Sequence, residues 1–349
     1  MIYFPRIQVL RALAANAVAL SHLAIIEQKY SATTLLPREL ISAGHIGVNC
    51  FFVVSGFIMA NIVQREPSAR RFLLARISRI YPTYWFYTVI VLAIFWTTPA
   101  IVNSSATIEP TLWKSFLLWP DAALPLLNVG WSLIYEMWFY LVLFGAIVLR
   151  LDLAIVLCVW TIALIFAPSA TTPETAVVFS PLGFLFIAGA AVGLLVNSGF
   201  KRGRAAALAI GCVALVAGTI FWLRSYQVGI ETAWIWMGLP FALIVYGCSS
   251  PGSSKADKSL IEDLGDASYS LYLGHILTLS ALGRLYSLYP GRSSIVGLFF
   301  LLTCMIAANI AAIFSYRLLE RPLIAAVRSQ AGKAHGSCKD LSINVSRHP

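Results

Sequence analysis

Apolar residues along this chain fall into blocks of about twenty, the length of helix that rises through the roughly 30 Å hydrocarbon core of a bilayer. Ten such blocks are predicted as helices, at residues 7–26, 44–64, 80–97, 131–149, 151–167, 179–197, 205–223, 231–248, 268–288 and 294–316. The polar breaks between them are short, apart from the stretch of about 97–130. That stretch holds Pro99, Pro110, Pro120 and Pro125 and one apolar patch, Leu112 to Trp119, too short to cross. The patch is expected to be re-entrant or interfacial, with Trp113 and Trp119 as headgroup anchors. The predicted fold class is therefore all-α, a polytopic membrane protein of about ten transmembrane helices. Residues 1–330 form the membrane domain and the polar residues 331–349 a disordered tail.

Composition agrees with the pattern. Of 349 residues 59% are hydrophobic and only 11% charged, with a mean hydropathy of +0.80; a soluble domain carries about twice that charged share. The N-terminus does not read as a cleaved signal peptide, because Arg11 interrupts the apolar run and no small-residue cleavage site follows. The net charge of +10 suits cytoplasmic loops better than nucleic acid. With the N-terminus inside and ten spans, nineteen of the 25 Lys and Arg residues lie inside and six outside. That partition supports cytoplasmic N- and C-termini. The six cysteines are scattered, without a CxxC pair, and read as packing residues rather than disulfides or metal ligands.

Four features could carry chemistry. The first is Arg11 and His22, eleven residues apart in the first span. Their spacing returns to within about 20° of one helix face, about 16 Å further along. Ionisable groups inside a span mark function by default, although a snorkelling pair explains them equally well at this point. The second is Glu136, an acid within an apolar span, which needs a cation, a proton or several donors. Counted from the start of its span it lies at a depth comparable to His22, so it is expected either to orient His22 or to form a structural pair elsewhere. The third is Arg76 and Arg79, whose i,i+3 spacing turns two guanidinium forks to one side. Such forks suit the phosphate oxygens of a nucleotide-type carrier. Arg65, Arg70 and Arg71 need no reading beyond the positive-inside rule.

The fourth feature is the run from Asp266 to His275, where Ser268 and His275 share a face. A lone histidine there is more often a packing residue than a catalyst. Depth counting also sets His22 and His275 at different levels, which argues against a haem or metal between them. The stretch from Gly44 to Phe57 carries glycines and Ser55 that let helices approach closely, with His45 at its outer mouth.

Together these motifs resemble the acyltransferase family 3 membrane proteins, bacterial O-acyltransferases that decorate polysaccharides. The matching features, in order, are Arg11 and His22; Gly44 to Met59; Arg76 and Arg79 with Tyr81-Pro82; and Trp131-Ser132-Leu133 with Glu136 and Phe139-Tyr140. Ser268-Tyr269, Tyr272-Leu273 and His275 follow, and Glu320-Arg321-Pro322 closes the run. The resemblance covers about residues 5–325, and the wording around Glu136 is similar to the exopolysaccharide O-acetyltransferase branch. The chain departs from the family pattern at Asn49, where many members have an acid, and at Ile134, commonly polar.

The resemblance implies a multi-pass protein of the bacterial inner membrane that moves an acyl group, most often acetyl, from cytoplasmic acetyl-CoA to a polysaccharide hydroxyl. It implies essential roles for Arg11 and His22 and donor binding by Arg76 and Arg79; with the reading of the residues beside it, His22, Glu136 and Arg11 are expected to be catalytic, His275, Ser268 and Tyr272 to support them, and no metal is expected. The expected partners are the bilayer, a polysaccharide or lipid-linked saccharide, and the machinery of polysaccharide synthesis or export. Two other classes share the buried charges: a transporter or flippase for a lipid-linked or acylated sugar, and a non-catalytic partner of a polysaccharide synthase.

Overall fold

The computed structural model describes residues 3–31, 34–66, 68–98, 102, 108–224, 230–252, 259–289 and 293–326. The expected tail at 331–349 lies outside them. Among the described residues the regular structure is entirely helical. The helices are α1 (Pro5–Tyr30), α2 (Glu39–Val63), α3 (Ala69–Thr97), α4 (Leu112–Leu117), α5 (Trp131–Val148), α6 (Leu153–Ile165) and α7 (Pro173–Val178). They continue with α8 (Gly183–Asn197), α9 (Arg204–Arg224), α10 (Ile230–Cys248), α11 (Leu260–Asp266), α12 (Ser268–Ser287) and α13 (Ser294–Ser315). A 3₁₀ turn, Asn128–Gly130, leads into α5, and a π-helical turn, Tyr316–Glu320, ends α13.

Among the described residues seven helical segments, rather than ten, are long and apolar enough to cross a membrane. Two further apolar helices, Leu153–Ile165 and Thr232–Cys248, are shorter. At 13 residues α6 rises only about 20 Å. The remaining predicted span, α12, has spanning length but carries Ser268, Ser270, Tyr272 and His275 on its buried side, and those residues lower its apolarity. The outer surface is apolar: Val213 and Phe221 on α9 and Phe299, Ile306 and Phe314 on α13 are all exposed. Backbone polar groups satisfied within helices and an apolar exterior make this a multi-pass membrane protein.

Small residues set the spacing of the central helices. A Cβ on Gly56 of α2 would run into the Phe186 carbonyl of α8, and one on Gly189 of α8 into the Val53 carbonyl of α2. Gly44 and Gly47 bring α2 equally close to Ser21 and Ala14 of α1. The close approach expected for the 44–57 stretch is therefore present, with backbones in contact.

The patch Leu112–Trp119 is re-entrant. Its backbone carbonyls at Ser115, Phe116 and Leu117 accept hydrogen bonds from Tyr84 (2.6 Å), Trp85 (2.8 Å) and Tyr81 (2.8 Å) of α3. Tyr81 lies sixteen residues before the end of α3 at Thr97, so the patch returns about 24 Å along the bundle from that end. Leu118, in the left-handed region at φ 53°, turns the chain at the tip. Trp113 and Trp119 are both exposed. The chain then reaches Gly130, packed on the Tyr84 ring, so α5 begins in the interior of the bundle.

Candidate active site

One cavity of about 590 Å³ is lined by α1, α2, α3, α5, the end of α11, α12 and the end of α13. Four arginines line it: Arg11, Arg76, Arg79 and Arg321. Glu136 and Asp266 supply acidic groups, and Tyr140, Tyr269, Tyr272 and Tyr316 supply ring surface and hydroxyls. The volume is that of a small-molecule site, and the concentration of guanidinium forks selects for a ligand rich in anionic oxygens.

The arginines differ in their surroundings. Arg79 forms an ion pair with Glu320, which is fully buried and also accepts from Ser270 Oγ at 2.7 Å. Tyr269 stacks against the Arg79 guanidinium at 5.3 Å. The π-helical turn brings Glu320 onto this pair; such turns insert one extra residue and re-aim the side chains that follow. Arg11 is bonded to Gln8 Oε1 one turn earlier, at 2.9 Å. Arg76 is buried beside Met59, Tyr140 and Glu136, and its Nε has no hydrogen-bond partner among the described residues. Ser268 Oγ is also buried, unpartnered among those residues, and on the cavity wall. Both residues line the one cavity, and a buried polar atom left unmet costs about 1–3 kcal/mol.

Glu136 does not orient His22. It accepts from Tyr140 (2.5 Å) and Ser55 (2.9 Å) and lies on the arginine-lined wall. The expected common depth with His22 rested on counting inward from an outer surface. Because α5 starts inside the bundle, five residues along it reach the arginine level instead. Ser55, expected to be a packing residue, is in fact a donor to this carboxylate.

His22 pairs with His275. His275 Nε2 and His22 Nδ1 are 3.2 Å apart, with the rings edge to face at 4.9 Å between centroids. The expected offset between these histidines is thus incorrect: α11 and α12 together run parallel to α1, Gly265 of α11 against Gln8 and Gly283 of α12 against Tyr30, which brings residues 275 and 22 level. Among the described residues no group of three His, Cys, Asp or Glu side chains is placed to hold a metal ion.

Tyr272 joins the two halves of the site. Its hydroxyl donates to Val129 O at 2.8 Å and meets Ser132 Oγ at 2.6 Å. Its ring lies 6.0 Å from Phe51 and 6.3 Å from His275. Phe51 and Tyr272 therefore form the cavity wall nearest the histidine pair. The predicted residues Arg11, Arg76, Arg79, Glu136, Ser268 and Tyr272 converge on one cavity, while His22 and His275 stand behind its end wall. Glu320, Arg321, Ser55 and Tyr140 were not anticipated as site residues, although each lies in a motif of the sequence: Glu320-Arg321-Pro322, Gly44 to Met59 and Phe139-Tyr140.

Residues 4–314 match the Acyltransferase domain family. The chain belongs to this family. It is also 29% identical over 302 residues to the exopolysaccharide production protein ExoZ of Rhizobium meliloti (strain 1021), covering 80% of this chain and 90% of that protein. A shorter similarity, 30% over 140 residues, links it to "Putative acetyltransferase ORF330" of Acidianus two-tailed virus, covering 40% of this chain and 39% of that one. No solved structure matches at a significant level. Family membership and the apolar helical bundle together support a membrane acyltransferase.

Proposed function

We propose that this acyltransferase moves an acetyl group from acetyl-CoA to a hydroxyl of an exopolysaccharide sugar or its lipid-linked precursor. The observation that carries the reading is the cavity holding Arg11, Arg76, Arg79 and Arg321, closed by Phe51 and Tyr272 against the His22–His275 pair. The arginine-rich end faces the cytoplasm, where the donor is made, in keeping with the distribution of Lys and Arg along the chain. Both termini lie on that side of the bacterial inner membrane, and the acceptor meets His22 from the other, beside the synthesis or export machinery.

In this reading Arg76, Arg11 and Arg321 hold the donor phosphates, while Arg79 stays with Glu320 and shapes the wall. Glu136, with Tyr140 and Ser55, orients Arg76. The thioester reaches past Phe51 and Tyr272 towards His22. The His22 imidazole takes the proton of the acceptor hydroxyl, and the oxygen attacks the thioester carbonyl. The C–S bond breaks, and the departing thiolate takes the proton back from the imidazolium. A transporter of the same architecture has no need of the thioester and predicts no such chemistry.

The test is acetyl-CoA binding and consumption by the purified protein in nanodiscs with a saccharide acceptor. Transfer that is lost in His22→Ala and weakened in affinity by Arg76→Gln is expected. Protein that neither binds nor consumes acetyl-CoA overturns the reading.

A further inference from the structure

The histidine pair carries an assignment beyond the presence of two imidazoles. Both rings make the same backbone contact, Nδ1 to the carbonyl four residues earlier: His22 to Val18 O at 3.0 Å, His275 to Leu271 O at 2.9 Å. A carbonyl oxygen only accepts, so a lone pair on either Nδ1 would face another lone pair. Placing the proton on Nδ1 of each ring removes both conflicts. His275 Nε2 is then an acceptor 3.2 Å from the His22 Nδ1, whose one proton it shares with Val18 O in a three-centre bond. The opposite assignment, with His275 donating to His22, leaves His22 Nδ1 unprotonated against Val18 O.

We infer that His275 is a positioning residue: with the Val18 carbonyl it holds His22 in the Nδ1–H tautomer, leaving the His22 Nε2 lone pair as the base that takes the acceptor proton. The inference rests on the proposed transfer reaction and names the working atom in it. His275 is itself held from both sides, being 1% exposed with its Nδ1 tied to the backbone, so its Nε2 points one way. When His22 gains the second proton, the Nδ1–H···Nε2 bond becomes charge-assisted and strengthens. His275 thus takes the part that a carboxylate takes behind a catalytic histidine, in a neutral form that adds no second buried charge to the bundle. His45 of α2 is another titratable group within electrostatic reach of His22, and it packs on Trp222 at 6.1 Å.

Two measurements decide it. In protein labelled with ¹⁵N-histidine and held in lipid, His22 should show a protonated Nδ1 and a lone-pair Nε2. A scalar coupling should cross the N–H···N bond to His275 and vanish in His275→Leu. In the transfer assay His275→Leu should lower kcat by at least about tenfold, the usual cost of losing an orienting partner, with KM for acetyl-CoA unchanged. His275→Gln, which presents an amide oxygen near the position of Nε2, should restore most of that loss. A proton on His22 Nε2, or a glutamine variant no better than leucine, overturns the inference. The spectrum is read without turnover, so an inactive protein with the expected tautomer would refute the transfer reaction and leave the geometry of the pair standing.

Discussion

Arg79 and Glu320 are 241 positions apart in the chain and form an ion pair between α3 and the turn that ends α13. Glu320 is fully buried, and Ser270 Oγ completes its coordination. Removing one member strands the other charge, which typically costs about 3–5 kcal/mol. Glu320→Gln and Arg79→Met should each lower thermal stability in detergent sharply. The double variant Arg79→Met with Glu320→Leu should recover much of the loss. Equal stability of the single and double variants would show that the pair is not a unit.

Among the described residues Arg76 is the cavity arginine with an unmet buried donor. Arg76→Lys keeps the charge and loses the fork, so it should raise KM for acetyl-CoA by about tenfold, the scale of one lost charge-assisted hydrogen bond. Arg79→Lys, whose charge is already matched by Glu320, should change KM less. Steady-state kinetics on the two variants checks the order, and a larger effect at Arg79 would reverse the assignment of donor contacts.

Phe51 and Tyr272 close the cavity towards the histidines. Phe51→Ala should open room there for a longer acyl chain. The ratio of kcat/KM for butyryl-CoA over acetyl-CoA should rise by about tenfold or more, since each methylene accommodated contributes about 1–3 kcal/mol. An unchanged ratio in a competition assay would place the limit on chain length elsewhere.

Gly189 lies against the Val53 carbonyl where α2 and α8 touch. No side-chain rotamer relieves a Cβ against backbone, so Gly189→Ala should cost at least about 1–3 kcal/mol, the range for overpacking. Gly145, whose Cβ position is open, serves as the control. Size-exclusion profiles after heating should separate the two variants.

Much of the fold was legible because a bilayer demands one readable property, a run of apolar residues long enough to cross. The glycines of α2 and the prolines flanking Leu112–Trp119, Pro110 and Pro120, also stated their structural roles plainly. Depth was harder to read. Glu136 is five residues into its span, but the start of that span is set by how far Leu112–Leu117 folds back, and this depends on hydroxyls of Tyr81 and Tyr84 some thirty residues earlier. The meeting of His22 and His275 depends on the direction and register of α11 and α12 against α1, settled by Gly265 and Gly283 packing on Gln8 and Tyr30. Neither partner's local sequence contains that information. Glu320 was quoted within a motif but its role hangs on a π turn, which composition does not announce.

That turn sets how the site depends on a residue count as well as on residue types. Each residue advances an ordinary helix by about 100°, and the π turn from Tyr316 to Glu320 absorbs one surplus residue, so the side chains after it keep their heading. Were all five residues to relax to an ordinary helix, Glu320 would swing off Arg79 and Arg321 off the cavity mouth with every functional side chain still present. Deleting Leu318, an exposed side chain with no group in the cavity, would remove the surplus and leave that heading in place. A chain aligned to this one can therefore be one residue short before its Glu-Arg-Pro and still hold the site.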